Sequence, residues 1–437
     1  MTICIATDSY PPQVGGIATF NKHLVSLLQS AGHKIVVLSF YHAPGEDDSI
    51  VIEDNLTIVQ LKKTYTGIYQ EWLPYFRPGG FDAPNWIAAG MAMRKWLLDN
   101  SKSYSIDIIE VSDYGGLGIF LIDAGLPPIV LTGHGSLLQY SRYNFTTDDD
   151  HYKVVRKLEE LSFIHAEAVI SHSPLNTADL ENLFKRDISF ATIPWTKEPV
   201  KENNAESNIP AEPSVVAGLQ PIKGIYDMLD AMQLLHTTDP AIQLVWIGGD
   251  TWLAPGQEKM STYLANKYPA VWQKSFSWKN ELPYPTVQQY IGSASVIVIP
   301  AFFETFNYIA LEAAANRRPI IITEGTGAAF IFTHSINAWV VPANDPKTLA
   351  DALRHLLANP EQAMELGANA YKILEEKFDP QKIVTERMTI YRTAIQNRKN
   401  NRNGLHPALS FLDAYRSPQR KFYYRLRAVI KKLIRRK

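Results

Sequence analysis

The chain has 437 residues, 46% of them hydrophobic and 20% charged, with a formal net charge of −1; at about 150 residues per domain this length predicts two domains. No apolar run approaches the roughly 20 residues of a membrane-spanning helix, which excludes a transmembrane protein. Cys4 is the single cysteine, which excludes internal disulfides and cysteine-based zinc sites and fits a reducing cytoplasm.

In chain order, MTICIATDSYPP lacks a basic leader and reads as a first core strand, Ile3 to Ala6, not as a signal peptide. A helix is expected from Ile17 to Ala31, then strands at Ile35 to Phe40, Ile106 to Val111 and Pro128 to Leu131. Such alternation predicts a parallel sheet covered on both faces, and ligands of such sheets bind at strand-to-helix turns. Gly15 and Gly16 occupy the first of these turns, where missing side chains let the backbone approach a ligand. Thr64 to Asn85 reads as poorly regular, either part of an acceptor-binding wall or a surface loop. His134, in LTGHGSLL, follows the strand at Pro128 to Leu131 and lies on the same rim. Asp148, Asp149 and Asp150 precede a helical pattern near Tyr152 and read as a helix N-terminal cluster, so no metal is assigned.

Residues 1–196 form the expected first domain, and the polar stretch 197–213 a linker. A second α/β series follows over 214–377, with strands at Ser214 to Leu219, Leu244 to Ile247, Val296 to Pro300, Ile320 to Thr323 and Trp339 to Val341. Helices are expected at Pro346 to Leu357, Pro360 to Lys377 and Pro380 to Gln396. Lys223 sits where a strand gives way to a helix opening at Gly224; the helix dipole disfavours a cation there, which argues for a function such as neutralising a diphosphate.

The run VIVIPAFFETFNYIALEAAANRRPIII, from Val296 to Ile322, places Glu304 on a loop and Glu312 inside a helix expected to open at Phe306. At about 1.5 Å per residue, Glu312 lies about 9 Å along the axis from that start. Between the two acids, the N–H groups of Phe306, Asn307 and Tyr308 favour a phosphate. Carboxylates for hydroxyls and amides for phosphates suit a nucleotide diphosphate sugar.

The E-x7-E spacing, the strand ending in Pro300 and the Arg-Pro-Ile-Ile strand that follows resemble the retaining glycosyltransferases of family 4. The resemblance covers most of residues 1–396 and implies the GT-B fold: two Rossmann-like doubly wound α/β domains facing a central cleft, with a last helix, 378–396, crossing back to the first domain. It implies that Glu312 holds the nucleotide ribose, that Glu304 and His134 contact the donor sugar, that Gly16 lies beneath the donor phosphate, and that no metal or other cofactor is needed. The sequence departs from the family where Thr305 and Asn307 replace glycines, where Asn316-Arg317 replaces a turn ending in Gly, and where Leu219 or Gln220 stands in place of a diphosphate-binding arginine.

The function expected is transfer of a sugar from a nucleotide diphosphate sugar to an acceptor hydroxyl with retention, in glycolipid or cell-envelope polysaccharide synthesis. The rival is a catalytically inactive scaffold that binds a nucleotide or glycan. A glycoside hydrolase needs carboxylates on opposite sides of a scissile bond, and a nicotinamide-dependent dehydrogenase needs a G-x-G-x-x-G after the first strand; neither pattern is met. From Ala414 to Lys437 there are ten Lys or Arg and no acid, against 33 basic and 44 acidic residues in the remainder. Phe422, Leu426, Val429, Ile430, Leu433 and Ile434 recur there at helical spacing, so the tail, after a polar linker from 397, reads as a peripheral anchor for an anionic membrane, with no nucleic-acid partner.

Overall fold

The computed structural model describes residues 1–40, 46–77, 83–144, 149–196, 211–253, 258–398 and 406–424. The first half contains β1 (Thr2–Thr7), α1 (Gly16–Ser30), β2 (Lys34–Ser39), β3 (Ser49–Glu53), β4 (Leu56–Gln60), α2 (Lys62–Trp72), α3 (Ala83–Asn100) and β5 (Ile108–Ser112). It continues through α4 (Gly118–Leu121), β6 (Ile129–Thr132), α5 (Leu137–Tyr140), α6 (Asp150–His165), β7 (Ala168–Ser171), α7 (Pro174–Phe184) and β8 (Ser189–Phe190). Its strands make one eight-stranded sheet in the order β3-β4-β2-β1-β5-β6-β7-β8. Only the β3–β4 pair is antiparallel.

β1 shows why: all six residues are buried, as a strand covered on both faces requires. Alternation splits it cleanly. Cys4 and Ala6 face the core formed with α2, α3 and α6, whereas Ile3 and Ile5 face a second core shared with α1. Burial pushes the Cys4 thiol far up, so it stays protonated as a core residue.

The second half contains β9 (Ser214–Val216), α8 (Ile225–Thr238), β10 (Leu244–Ile247), a hairpin β11 (Trp252–Leu253) and β12 (Glu258–Lys259), α9 (Met260–Lys267), β13 (Phe276–Lys279) and α10 (Tyr284–Ser293). Then come β14 (Ile297–Ile299), α11 (Tyr308–Ala315), β15 (Ile320–Thr323), β16 (Trp339–Val341), α12 (Pro346–Ala358), α13 (Pro360–Lys377) and α14 (Pro380–Gln396). Its main sheet is parallel, in the order β13-β10-β9-β14-β15-β16.

α14 returns to the first domain, as the resemblance implied. Ile383, Val384, Met388 and Tyr391 on it join one core with Ile3 and Ile5 of the first sheet, Phe20 of α1, and Ile297, Ile299 and Ile322 of the second sheet. Arg387, fully buried, pairs with Glu110 of β5 at 3.2 Å; Tyr391 and Thr132 also donate to that carboxylate.

Several expectations are corrected. The described part of the segment 64–85 is regular: α2 runs to Trp72, α3 starts at Ala83, and Tyr65, Trp72 and Phe76 are buried in the first-domain core. The strand at 214–219 stops at Val216. In the tail, a 3₁₀ helix over Pro407–Tyr415 buries Leu409 and Leu412 in the first domain, Tyr415 stacks on Phe76, and Arg420 pairs with Asp150. The basic segment is thus tethered to the protein body up to Tyr424. Phe422 is 70% exposed; Leu426, Val429, Ile430, Leu433 and Ile434 lie outside the described residues, as do Asp148 and most of the linker. Asp149 does cap α6, accepting from the Tyr152 N–H at 3.0 Å.

Candidate active site

Each residue singled out from the sequence borders one cavity of about 1080 Å³ between the domains: Gly15, Gly16 and His134 from the first, and Lys223, Glu304, Phe306, Asn307, Tyr308 and Glu312 from the second. The carboxyl ends of the two parallel sheets face each other there, as the switch-point rule requires.

Lys223 ends a 3₁₀ turn, Pro221–Lys223, and Gly224 caps α8 in the left-handed region at φ +77°. That turn aims the lysine at the opposite loop, where its ammonium pairs with Glu304. Glu304 is itself fixed by its backbone: its N–H donates to Gly325 at 3.0 Å, and its carbonyl accepts from Gly327 at 2.8 Å. The cation and the acid therefore neutralise each other. Beyond this loop the structure corrects the helix start. α11 opens at Tyr308, not Phe306, because Asn307 adopts φ +109° and caps the helix by accepting from the Ala310 N–H at 3.3 Å. A conformation open mainly to glycine is thus kept with a side chain, and Phe306 turns inward as a buried core residue. Glu312 lies one turn into α11, 6% exposed, and accepts from Gln288 Nε2 at 2.8 Å.

On the first-domain side, Gly15 adopts φ +146° and precedes α1, and open space lies where a Cβ on Gly15 or Gly16 would point. His134 is held from behind: Asp113, fully buried after β5, accepts from the backbone N–H groups of His134 at 2.9 Å and Gly135 at 3.2 Å. Burial nonetheless pushes the Asp113 carboxyl up to about 7. The His134 ring meets the edge of Phe20 at 4.4 Å, and burial, aided by the Arg387 charge, pushes its pKa down to about 3. The imidazole is neutral at ordinary pH.

The domains are hydrogen-bonded across the site. The Thr305 hydroxyl donates to the His134 carbonyl at 3.0 Å, Ser173 donates to the Thr305 carbonyl at 2.7 Å, and the Ile222 N–H donates to Asn144 Oδ1 at 3.0 Å. Sequence reasoning treated Thr305 only as a lost glycine and passed over Asp113, Ser173 and Gln288. Asp113 was within reach, since it follows a strand whose end was predicted; the other two act through contacts between distant segments that no spacing reveals.

Two α/β domains closed over a cleft with this pairing of acids and lysine define a GT-B-type transferase. Residues 14–193 match the family model described as Glycosyltransferase Family 4, and 201–373 that described as Glycosyl transferases group 1. Together they take in most of the chain, which belongs to this family of glycosyltransferases using nucleotide sugars. It is similar to the glycogen synthase of Mycobacterium tuberculosis, 24% identical over 90% of this chain and 95% of that one. It also resembles the D-inositol 3-phosphate glycosyltransferase of Corynebacterium glutamicum, 21% identical over 82% and 86% of the two chains. Among solved structures, sucrose-phosphate synthase from Thermosynechococcus elongatus superposes with a TM-score of 0.68 at 20% identity, covering 90% of this chain and 99% of that one. Anabaena HepE in complex with UDP-glucose gives 0.60 at 12%, covering 89% and 99%.

Proposed function

We propose that the enzyme transfers a sugar from a nucleoside diphosphate sugar to an acceptor hydroxyl with retention of anomeric configuration, in glycolipid or cell-envelope polysaccharide synthesis. The observation that carries this reading is the arrangement of Lys223 and Glu304 as a pair, with Glu312 behind them and His134 opposite, around one cavity.

In the reaction, the bond from the sugar carbon to the diphosphate breaks and its electron pair goes to the phosphate oxygen. The Lys223 ammonium and the start of α11 meet that charge, the kind of fixed electrostatic aid that supplies most of such a rate enhancement. Glu304 positions the donor sugar and Glu312 accepts the ribose hydroxyls. The acceptor hydroxyl attacks the same face and passes its proton to the departing phosphate oxygen. His134, with its pKa pushed down to about 3, is too weak a base to take that proton and serves as a contact for the sugar. The hydrogen bonds from Thr305 and Ser173 keep the cleft closed against water. No metal enters this scheme, so chelation with EDTA should leave turnover unchanged; loss of activity restored by a divalent ion would reject it.

Thermal stabilisation by a panel of UDP-, GDP- and ADP-sugars tests the donor site, since a ligand of the folded state must raise its stability. Glu312→Ala is expected to abolish the shift, and Lys223→Ala to retain binding but lower kcat by roughly 10²–10³-fold. Wild-type behaviour in both variants would refute the assignment. The scaffold reading is favoured by one observation, Gln220 at the cleft where the family carries arginine. It predicts stabilisation without any release of nucleoside diphosphate.

The basic tail adds a membrane proposal, supported by the charge asymmetry between tail and body. Full-length protein should bind anionic vesicles more tightly than a version ending at Asn403, and equal binding would end the idea.

A further inference from the structure

We propose that the acceptor end entering the first-domain side of the cleft is an uncharged, hydroxyl-bearing sugar and not a sugar phosphate; this rests on the transfer reading above and names its substrate class. The first-domain wall is made of Asp8, Ser9, Thr19, Tyr114, Tyr140 and Asn144, together with the glycine loop and His134. These offer a carboxylate, hydroxyls, an amide and two aromatic faces. Lys223 is the only Lys or Arg among the described residues that line the cavity, and it belongs to the second domain, paired with Glu304.

A phosphate monoester carries a charge of about −1.5 to −2 at neutral pH and is held in proteins by Arg forks or Lys ammonium groups. Two arginines near the cleft have acidic partners. Arg142 grips Asp179 with both terminal nitrogens, at 2.8 and 2.6 Å. Arg387 is buried against Glu110, with the Phe20 ring next to its guanidinium and that same ring against His134. Residues 145–148, which follow Asn144, include no Lys or Arg. His134 and His172 also line the cavity, but burial and the Arg387 charge keep both neutral. An anionic acceptor would lie against the Asp8 carboxylate, whereas sugar hydroxyls can donate to it and their C–H faces can pack on Tyr114 and Tyr140.

The test uses the full chain with the donor that stabilises it. Nucleoside diphosphate release is measured with matched acceptors: glucose and glucose 6-phosphate, fructose and fructose 6-phosphate, myo-inositol and its 3-phosphate, and a neutral maltooligosaccharide. Neutral members should be preferred by about tenfold or more in kcat/KM. Asp8→Asn should raise the acceptor KM several-fold while leaving the donor KM and the donor-induced thermal shift unchanged. Preference for a phosphorylated member, equal use of both, or no turnover with any neutral acceptor overturns the proposal, as does an unchanged acceptor KM in the variant. Failure of the underlying transfer reading shows separately, as absence of donor stabilisation or of release in every condition.

Discussion

Gly224 adopts φ +77°, and a Cβ there would collide with the Pro300 carbonyl oxygen. Gly224→Ala should therefore destabilise the protein by roughly 2–4 kcal/mol and displace Lys223, read as a lower urea midpoint together with lost turnover. Asp113 and His134 make a prediction about pH. The His134 pKa falls from 6.5 to about 3, so its contribution is complete above pH 6.5 and is lost as pH drops towards 3. The Asp113 pKa rises from 3.8 to about 7, so its contribution is complete below pH 3.8 and is lost as pH climbs through 7. The two slopes oppose each other across pH 4 to 7 and flatten the profile. Asp113→Asn removes one of them, and its stability relative to wild type should fall by about 2 kcal/mol between pH 7.5 and 5. Parallel pH profiles for the two proteins would contradict this.

Among the elements, the loop from Glu304 to Asn307 and the helix α14 carry the most consequence. Thr305→Val removes only the hydroxyl that reaches the His134 carbonyl, a bond of about 0.5–1.5 kcal/mol. The melting temperature should barely move while the ratio of donor hydrolysis to transfer rises, because the cleft opens to water more often. Arg387→Ala should cost about 3–5 kcal/mol by stranding Glu110 in the core, and Arg387→Met with Glu110→Leu should recover most of it. That Glu304 and Glu312 meet at one cavity was legible because they are spaced around one strand-to-helix turn. Its shape was not: Asn307 at positive φ shifts the helix start by two residues, a backbone choice set by packing Phe306 inward. The aromatic stretch near Tyr65 was misread for another reason. α2 is amphipathic, with Tyr65 and Trp72 buried and Lys63, Gly67, Gln70 and Glu71 exposed, but its Tyr, Thr and Gly residues are weak helix formers and mask that pattern in the sequence.

For the whole molecule, alternation of strand and helix patterns made the two-sheet architecture legible, since each parallel strand is a short, nearly continuous apolar run. The short edge strands β3, β8 and the hairpin were missed because two to five residues leave little pattern to read. Nothing in the sequence shows that the two domains share a core. Residues of both sheets and of α14 pack into one cluster, so thermal unfolding should follow a single cooperative transition, with calorimetric and van't Hoff enthalpies in agreement; two separated transitions would refute it.

That shared core also bears on how such enzymes can be recombined. A chimera built by joining residues 1–213 to the second half of a relative would import a foreign version of α14 and set it against Phe20, Glu110 and Thr132, partners it never matched. The workable cut has two seams. Residues 380–396, and the 3₁₀ helix Pro407–Tyr415 after them, travel with the first domain although they are encoded after the second, so the first-domain folding unit is discontinuous in the gene.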